Sequence, residues 1–192
     1  IGIAVISYLL GSIPFAYLVT KAITGKDIRY EGNGNGGARN VVGVACLGWG
    51  VPVALLDIAK GAVSFEIASR RGPAGLSLYV GLAFRLLGHC FPVWLGWRGG
   101  IGLAAVSGYL GAMWPLAFLL AVPVLLVARA LVRNFDLAYG IAVAAFVGVT
   151  ILRGNGVSGA LFIVSAYVLP VAKRLLDGPR QRELRTMVAA RE

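Results

Sequence analysis

Few polar side chains in this chain are spaced so that they can act together. Asp57 and Lys60 stand three apart, share one face of a helix and can pair. Arg85 and His89 stand four apart in the next apolar segment, and His89 belongs to the run Gly-His-Cys-Phe-Pro-Val-Trp-Leu-Gly-Trp-Arg-Gly-Gly-Ile-Gly, residues 88–102. Two glycine-rich loops separate the greasy stretches. Residues 32–37, Gly-Asn-Gly-Asn-Gly-Gly, can adopt positive φ and turn successive N–H groups toward an anion, and Arg39 and Asn40 add side-chain donors. No Gly-Lys-Ser/Thr follows, so this is not a P-loop. The second loop, Arg98-Gly99-Gly100-Ile101-Gly102, can line the same cavity if both lie on one side of a membrane. Candidate phosphate ligands are therefore Asn33, Gly34, Asn35, Gly37, Arg39, Asn40, Arg98, Gly99, Gly100 and Gly102. Candidate catalytic groups are His89, Lys60 and Asp57. Each has a plainer account beside it: a solvated turn for the loops, and a buried ion pair that merely joins helices for the charges.

The elements that must position these groups are membrane spans. Of 192 residues, 58% are hydrophobic and 14% charged, whereas a soluble domain has roughly a quarter charged. Lipid must cover part of this apolar surface. A span needs roughly 17 to 25 mostly apolar residues, which predicts an all-α, multi-pass protein with about seven segments at 2–23, 46–69, 75–97, 101–113, 115–132, 136–152 and 155–175. The segment at 101–113 is short, a partial span or a tilted helix. Ile1 to Thr20 lacks a basic leader and a small-residue cleavage site, and so reads as a retained span rather than a signal peptide. Residues 1–178 form one domain, followed by a basic cytoplasmic tail at 179–192. Glycines such as Gly108 near Ala112, and Gly140 near Ala144, suit close helix contacts. No internal repeat is visible.

The net charge of +10 sets orientation. Lys173, Arg174, Arg180, Arg182, Arg185 and Arg191 put the C-terminal end in the cytoplasm. Counting back, thirteen Lys/Arg fall inside and three, Arg70, Arg71 and Arg153, outside, giving N-out and C-in. The excess charge meets lipid headgroups rather than nucleic acid, for which the chain has no basic face, aromatic platform or groove-reading helix. Glu66 and Arg70 read as an interfacial pair, and Cys46 and Cys90 as small buried thiols outside any zinc spacing. A single histidine excludes a multi-histidine metal site, so no metal is expected.

The motifs, in their order, resemble the bacterial acyl-phosphate:glycerol-3-phosphate acyltransferases, the PlsY family. Gly-Ser-Ile-Pro-Phe-Ala-Tyr-Leu (11–18) is similar to the family's first-span signature, and Gly-Asn-Gly-Asn-Gly-Gly-Ala-Arg-Asn-Val (32–41) to its first loop. Leu-Asp-Ile-Ala-Lys-Gly (56–61), the run from Gly88 to Ala105, and Lys-Arg-Leu-Leu-Asp-Gly (173–178) follow in register. The resemblance implies a seven-helix enzyme of the bacterial inner membrane. It would move an acyl chain from acyl phosphate, arriving from the bilayer, to the 1-hydroxyl of cytosolic glycerol 3-phosphate, yielding lysophosphatidic acid for phospholipid synthesis, with no cofactor.

The chain also departs from that pattern. The family's loop serine is Asn33, its threonine Arg39, its following arginine Gly43, and the lysine of Gly-Gly-Lys-Gly is Ile101. Aligned without gaps, its C-terminal His-x-x-Asn falls on Val168 and Val171. Losing one well-placed donor costs roughly 10²- to 10³-fold in rate, although Arg39 and Arg98 offer replacement charge. Two readings stay open: an acyltransferase with a rearranged site, or a catalytically silent relative serving as a structural or lipid-binding subunit with membrane protein partners. A transporter lacks the expected inverted repeat.

Overall fold

The computed structural model describes residues 1–72 and 75–189; Arg191 and the side chain of Arg185, both assigned to the basic tail, lie outside the described part. The described chain is helical. It runs through α1 (Gly2–Ser12), α2 (Phe15–Thr24), α3 (Ala38–Val44), α4 (Leu47–Arg71), α5 (Leu76–Cys90), α6 (Leu103–Met113), α7 (Pro115–Leu131), α8 (Phe135–Thr150) and α9 (Gly156–Ala189). Gly2–Thr24, Leu76–Leu95 and Phe135–Val188 are long and apolar enough to cross a membrane, and Leu103–Met113 and Pro115–Leu131 are shorter apolar helices. Large apolar side chains such as Leu55, Leu119, Leu126 and Leu161 are exposed. A surface so rich in leucine suits lipid, not water.

Two boundaries differ from the expectation. The segment at 2–23 is broken into α1 and α2 at Ile13-Pro14. Proline carries no N–H and pushes the residue before it out of helical geometry, and Ile13 is extended at φ −61°, ψ 113°. The segment at 75–97 stops being α-helical at Cys90, ahead of Pro92, and Val93–Leu95 form one 3-10 turn. The described part of the tail is helical, since α9 continues through 178–179 to Ala189.

Close backbone contact brings the helices together. A Cβ on Gly11 would strike the Arg85 carbonyl, and one on Gly88 would strike that of Tyr8, so α1 and α5 touch only because both positions are glycine. Gly108 lies against the Ile58 backbone and joins α6 to α4. Gly140 does not act this way: it faces open space, and Ala144 is exposed too, since that stripe of α8 looks outward. The main core gathers Leu82, Leu86, Val106, Tyr109, Leu110 and Ile163, with the Tyr109 hydroxyl donating to the Leu78 carbonyl at 2.7 Å. Of the two thiols only Cys90 is buried; Cys46 precedes α4 and is exposed.

Candidate functional site

A narrow cleft, lined by both polar and apolar groups, opens beside the break between α1 and α2. Its walls include Gly11, Ile13 and Pro14 from the break, Asp57 and Lys60 from α4, His89 from α5, Gly36 from the first loop, and Gly99 and Gly100 from the second. Asp57 and Lys60 are buried and pair at 2.8 Å, as their spacing on one helix face requires. The Lys60 ammonium also donates to the Gly11 carbonyl at 3.2 Å and the Ile13 carbonyl at 2.8 Å. Those carbonyls are available because the proline break strips α1 of its next turn. The ammonium is thus held by two carbonyl hydrogen bonds and one ion pair.

His89 turns its two nitrogens to different neighbours. Nδ1 lies 3.7 Å from the Asp57 carboxylate, an electrostatic contact too long for a hydrogen bond. Nε2 faces Gly100, where a Cβ would come within 2.5 Å of it and within 2.8 Å of the Gly36 carbonyl. Glycine at 100 is therefore what lets the imidazole and both loops converge.

The first loop is held by its own asparagines. Asn40 is buried and donates to the Ile28 and Glu31 carbonyls while accepting from the Asn33 N–H. Asn33 in turn accepts from the Asn35 N–H at 3.0 Å. The Oδ1 of Asn35 is buried without a partner. Gly36 donates to the Gly99 carbonyl at 3.4 Å, which ties the loops directly. Arg29 adds a second tie that the sequence did not disclose: it donates to both oxygens of Asp27 and, at 2.8 Å, to the Leu95 carbonyl. Partial burial raises the Asp27 pKa, but the Arg29 hydrogen bonds outweigh it and hold the carboxyl below its ordinary value.

Not every candidate is brought into the cleft. Arg39 lies 3.6 Å from Asp136 and 4.8 Å above the Phe135 ring, beside the Arg174–Asp136 pair. Arg98 reaches the Tyr30 hydroxyl at 3.3 Å on the surface. Gly43 faces open space, and Val168 and Val171 are exposed on α9. The charged residues that α9 buries are instead Lys173 and Asp177, paired at 2.8 Å, with the ammonium 4.7 Å from the Phe91 ring. The Ser-Ile-Pro break was the missed part of the site, and Pro14 inside an apolar run was its available signal. Glu66 and Arg70 do form an exposed pair.

A family model described as glycerol-3-phosphate acyltransferase matches residues 1–175. The glycerol-3-phosphate acyltransferase of Myxococcus xanthus is 38% identical over 160 residues, 83% of each chain. That of Gluconobacter oxydans is 42% identical over 130 residues, 66% of this chain, and the match spans only 62% of that relative's length. The crystal structure of PlsY (YgiH), an integral membrane glycerol 3-phosphate acyltransferase, in its glycerol 3-phosphate form superposes with TM-score 0.78 and 29% identity over 96% of this chain and 92% of that one. Its lysophosphatidic acid form gives 0.76. With nearly the whole described chain matched in sequence and in fold, the protein belongs to the glycerol-3-phosphate acyltransferase (PlsY) family.

Proposed function

We propose that the protein transfers an acyl chain from acyl phosphate to the 1-hydroxyl of glycerol 3-phosphate, forming lysophosphatidic acid. The reaction takes place in a bacterial inner membrane crossed seven times, N-out and C-in, with the cleft toward the cytoplasm. One observation carries this reading: His89, the Asp57–Lys60 pair and both glycine loops line a single cleft at a helix break. The forms in which the related PlsY was crystallised supply the substrate class.

In this scheme the glycerol hydroxyl oxygen bonds to the acyl carbonyl carbon while the carbon–oxygen bond to phosphate breaks. The hydroxyl proton passes to His89 Nε2, the nitrogen beside Gly100 of the cleft wall, and inorganic phosphate leaves with the bonding electrons. Asp57, 3.7 Å from Nδ1, favours the imidazolium that forms. Lys60 fixes the broken end of α1, and the glycine backbones let phosphate approach closely. The other loop and cleft positions, Asn33, Gly34, Asn35, Gly37, Asn40, Gly99 and Gly102, shape the cradle. Arg39 and Arg98 would have to turn inward to join it.

The silent-subunit reading draws on a specific observation: Arg39 and Arg98 are engaged elsewhere, and Ile101 stands where the family carries lysine. Acyl transfer from palmitoyl phosphate to glycerol 3-phosphate by purified protein separates the two, with an Asn33→Ser/Ile101→Lys double variant alongside. Sustained turnover by the unaltered protein supports the enzyme. No turnover, together with stoichiometric co-purifying membrane partners, supports the subunit.

A further inference from the structure

We infer that Arg85 is a positioning residue of this cleft and leaves beside it one unbalanced positive charge that draws a phosphate group there. The inference rests on the acyltransferase reading and names the cation that the loops do not supply. Among the described residues, the buried ionic groups around the cleft are Asp57, Lys60 and Arg85 on α4 and α5, and Lys173 and Asp177 on α9. Lys60 pairs with Asp57, and Lys173 with Asp177. Arg85 is left over. Its side chain is fully buried at 0% exposure, and its one hydrogen bond runs from Nη2 to the Asp57 carbonyl at 3.3 Å. Its Nε and Nη1 are buried with no partner.

A guanidinium in a span cannot shed its proton, and burying it without a counter-ion is among the costliest arrangements a membrane helix can hold. Structural arginines are kept by carboxylates or several carbonyls; this one has a single carbonyl, and the nearby Asp57 carboxylate is already paired with Lys60. An anion in the adjoining cleft supplies the missing balance. Asp57, whose carbonyl Arg85 holds, lines that cleft, and so does Gly11, packed against the Arg85 backbone. Arg85 does not itself line the cleft, but it is fully buried, so its charge is screened less than it would be in water. The ligand class is a phosphate group, common to acyl phosphate, glycerol 3-phosphate and the phosphate released. Through its bond to the Asp57 carbonyl, Arg85 also fixes the carboxylate that faces His89.

The test compares the unaltered protein, Arg85→Met and Arg85→Lys in detergent. Thermal unfolding is followed against inorganic phosphate at constant ionic strength, and KM for each substrate is measured in the transfer assay. Phosphate should raise the Tm of the unaltered protein. Arg85→Met should start from a higher Tm, since an unbalanced buried charge has gone, and should need about tenfold more phosphate for the same protection. Arg85→Lys should keep most of the protection. KM should rise in Arg85→Met for at least one substrate, more than kcat falls, and the substrate affected identifies the phosphate held. Equal protection of the unaltered protein and Arg85→Met, or none in either, overturns the inference. Should Arg85→Met fail to fold, loss of protection in Arg85→Lys overturns it and retention supports it. An unaltered protein without turnover whose phosphate protection still depends on Arg85 overturns the acyltransferase reading alone.

Discussion

The loops and the spans place their cations in opposite ways. The second loop carries Arg98, and the first turn of α3 behind the first loop carries Arg39, where a reader of sequence expects phosphate ligands, yet both side chains point outward, to Tyr30 and to Asp136. The spans are almost wholly apolar, yet Lys60 and Arg85 are buried beside the cleft at 5% and 0% exposure. The difference follows from solvent. A loop arginine gains little from any one partner because water serves it equally well. A span cation has no such alternative and must be held by the protein or by a ligand. In this molecule the loops contribute backbone shape and the spans contribute charge.

Substitution in the spans should break that division most visibly. Lys60→Met leaves Asp57 buried without its partner and frees the Gly11 and Ile13 carbonyls, which should cost about 3–5 kcal/mol in detergent unfolding. An Asp57→Leu/Lys60→Met double variant should recover much of the loss, because it removes both charges together. Under the acyltransferase reading, His89→Gln should lower transfer by about 10²- to 10⁴-fold at nearly unchanged Tm. Gly100→Ala should cost about 1–3 kcal/mol and depress turnover, since its methyl group would press between His89 Nε2 and the Gly36 carbonyl.

Effects in the loops should be smaller. Asp27 has a lowered pKa, so its contribution is complete above the unfolded carboxyl value of about 3.9 and fades as pH falls through the folded value. The Tm difference between the unaltered protein and Asp27→Asn should therefore shrink between about pH 6 and pH 3. Arg39→Gln and Arg98→Gln should change turnover by no more than about twofold. A large loss in either would place a loop cation on the substrate and erase the contrast between loops and spans.

How much of this was legible depended on how local the cause was. Helical segments followed from runs of apolar residues, and the Asp57–Lys60 pair followed from a spacing of three on one helix. The break at Pro14 was written in the sequence too, but hydropathy averages over a single proline and hid it. The outward turn of Arg39 was not legible, since Phe135 and Asp136 lie almost a hundred residues away and only the packing of α8 brings them near. Gly140 shows the same limit from the other side. Its spacing suits a helix contact, but nothing in that spacing says whether the face looks inward or toward lipid. Likewise the isolation of Arg85 emerges only once every neighbouring carboxylate has been assigned to another cation.

Transfer of the palmitoyl group from palmitoyl phosphate to glycerol 3-phosphate by the purified, unaltered protein bears most directly on the account. Turnover that yields lysophosphatidic acid, and that His89→Gln removes while Arg39→Gln and Arg98→Gln leave it standing, is the predicted result. An absence of turnover, in a folded protein that co-purifies with stoichiometric membrane partners, would contradict it.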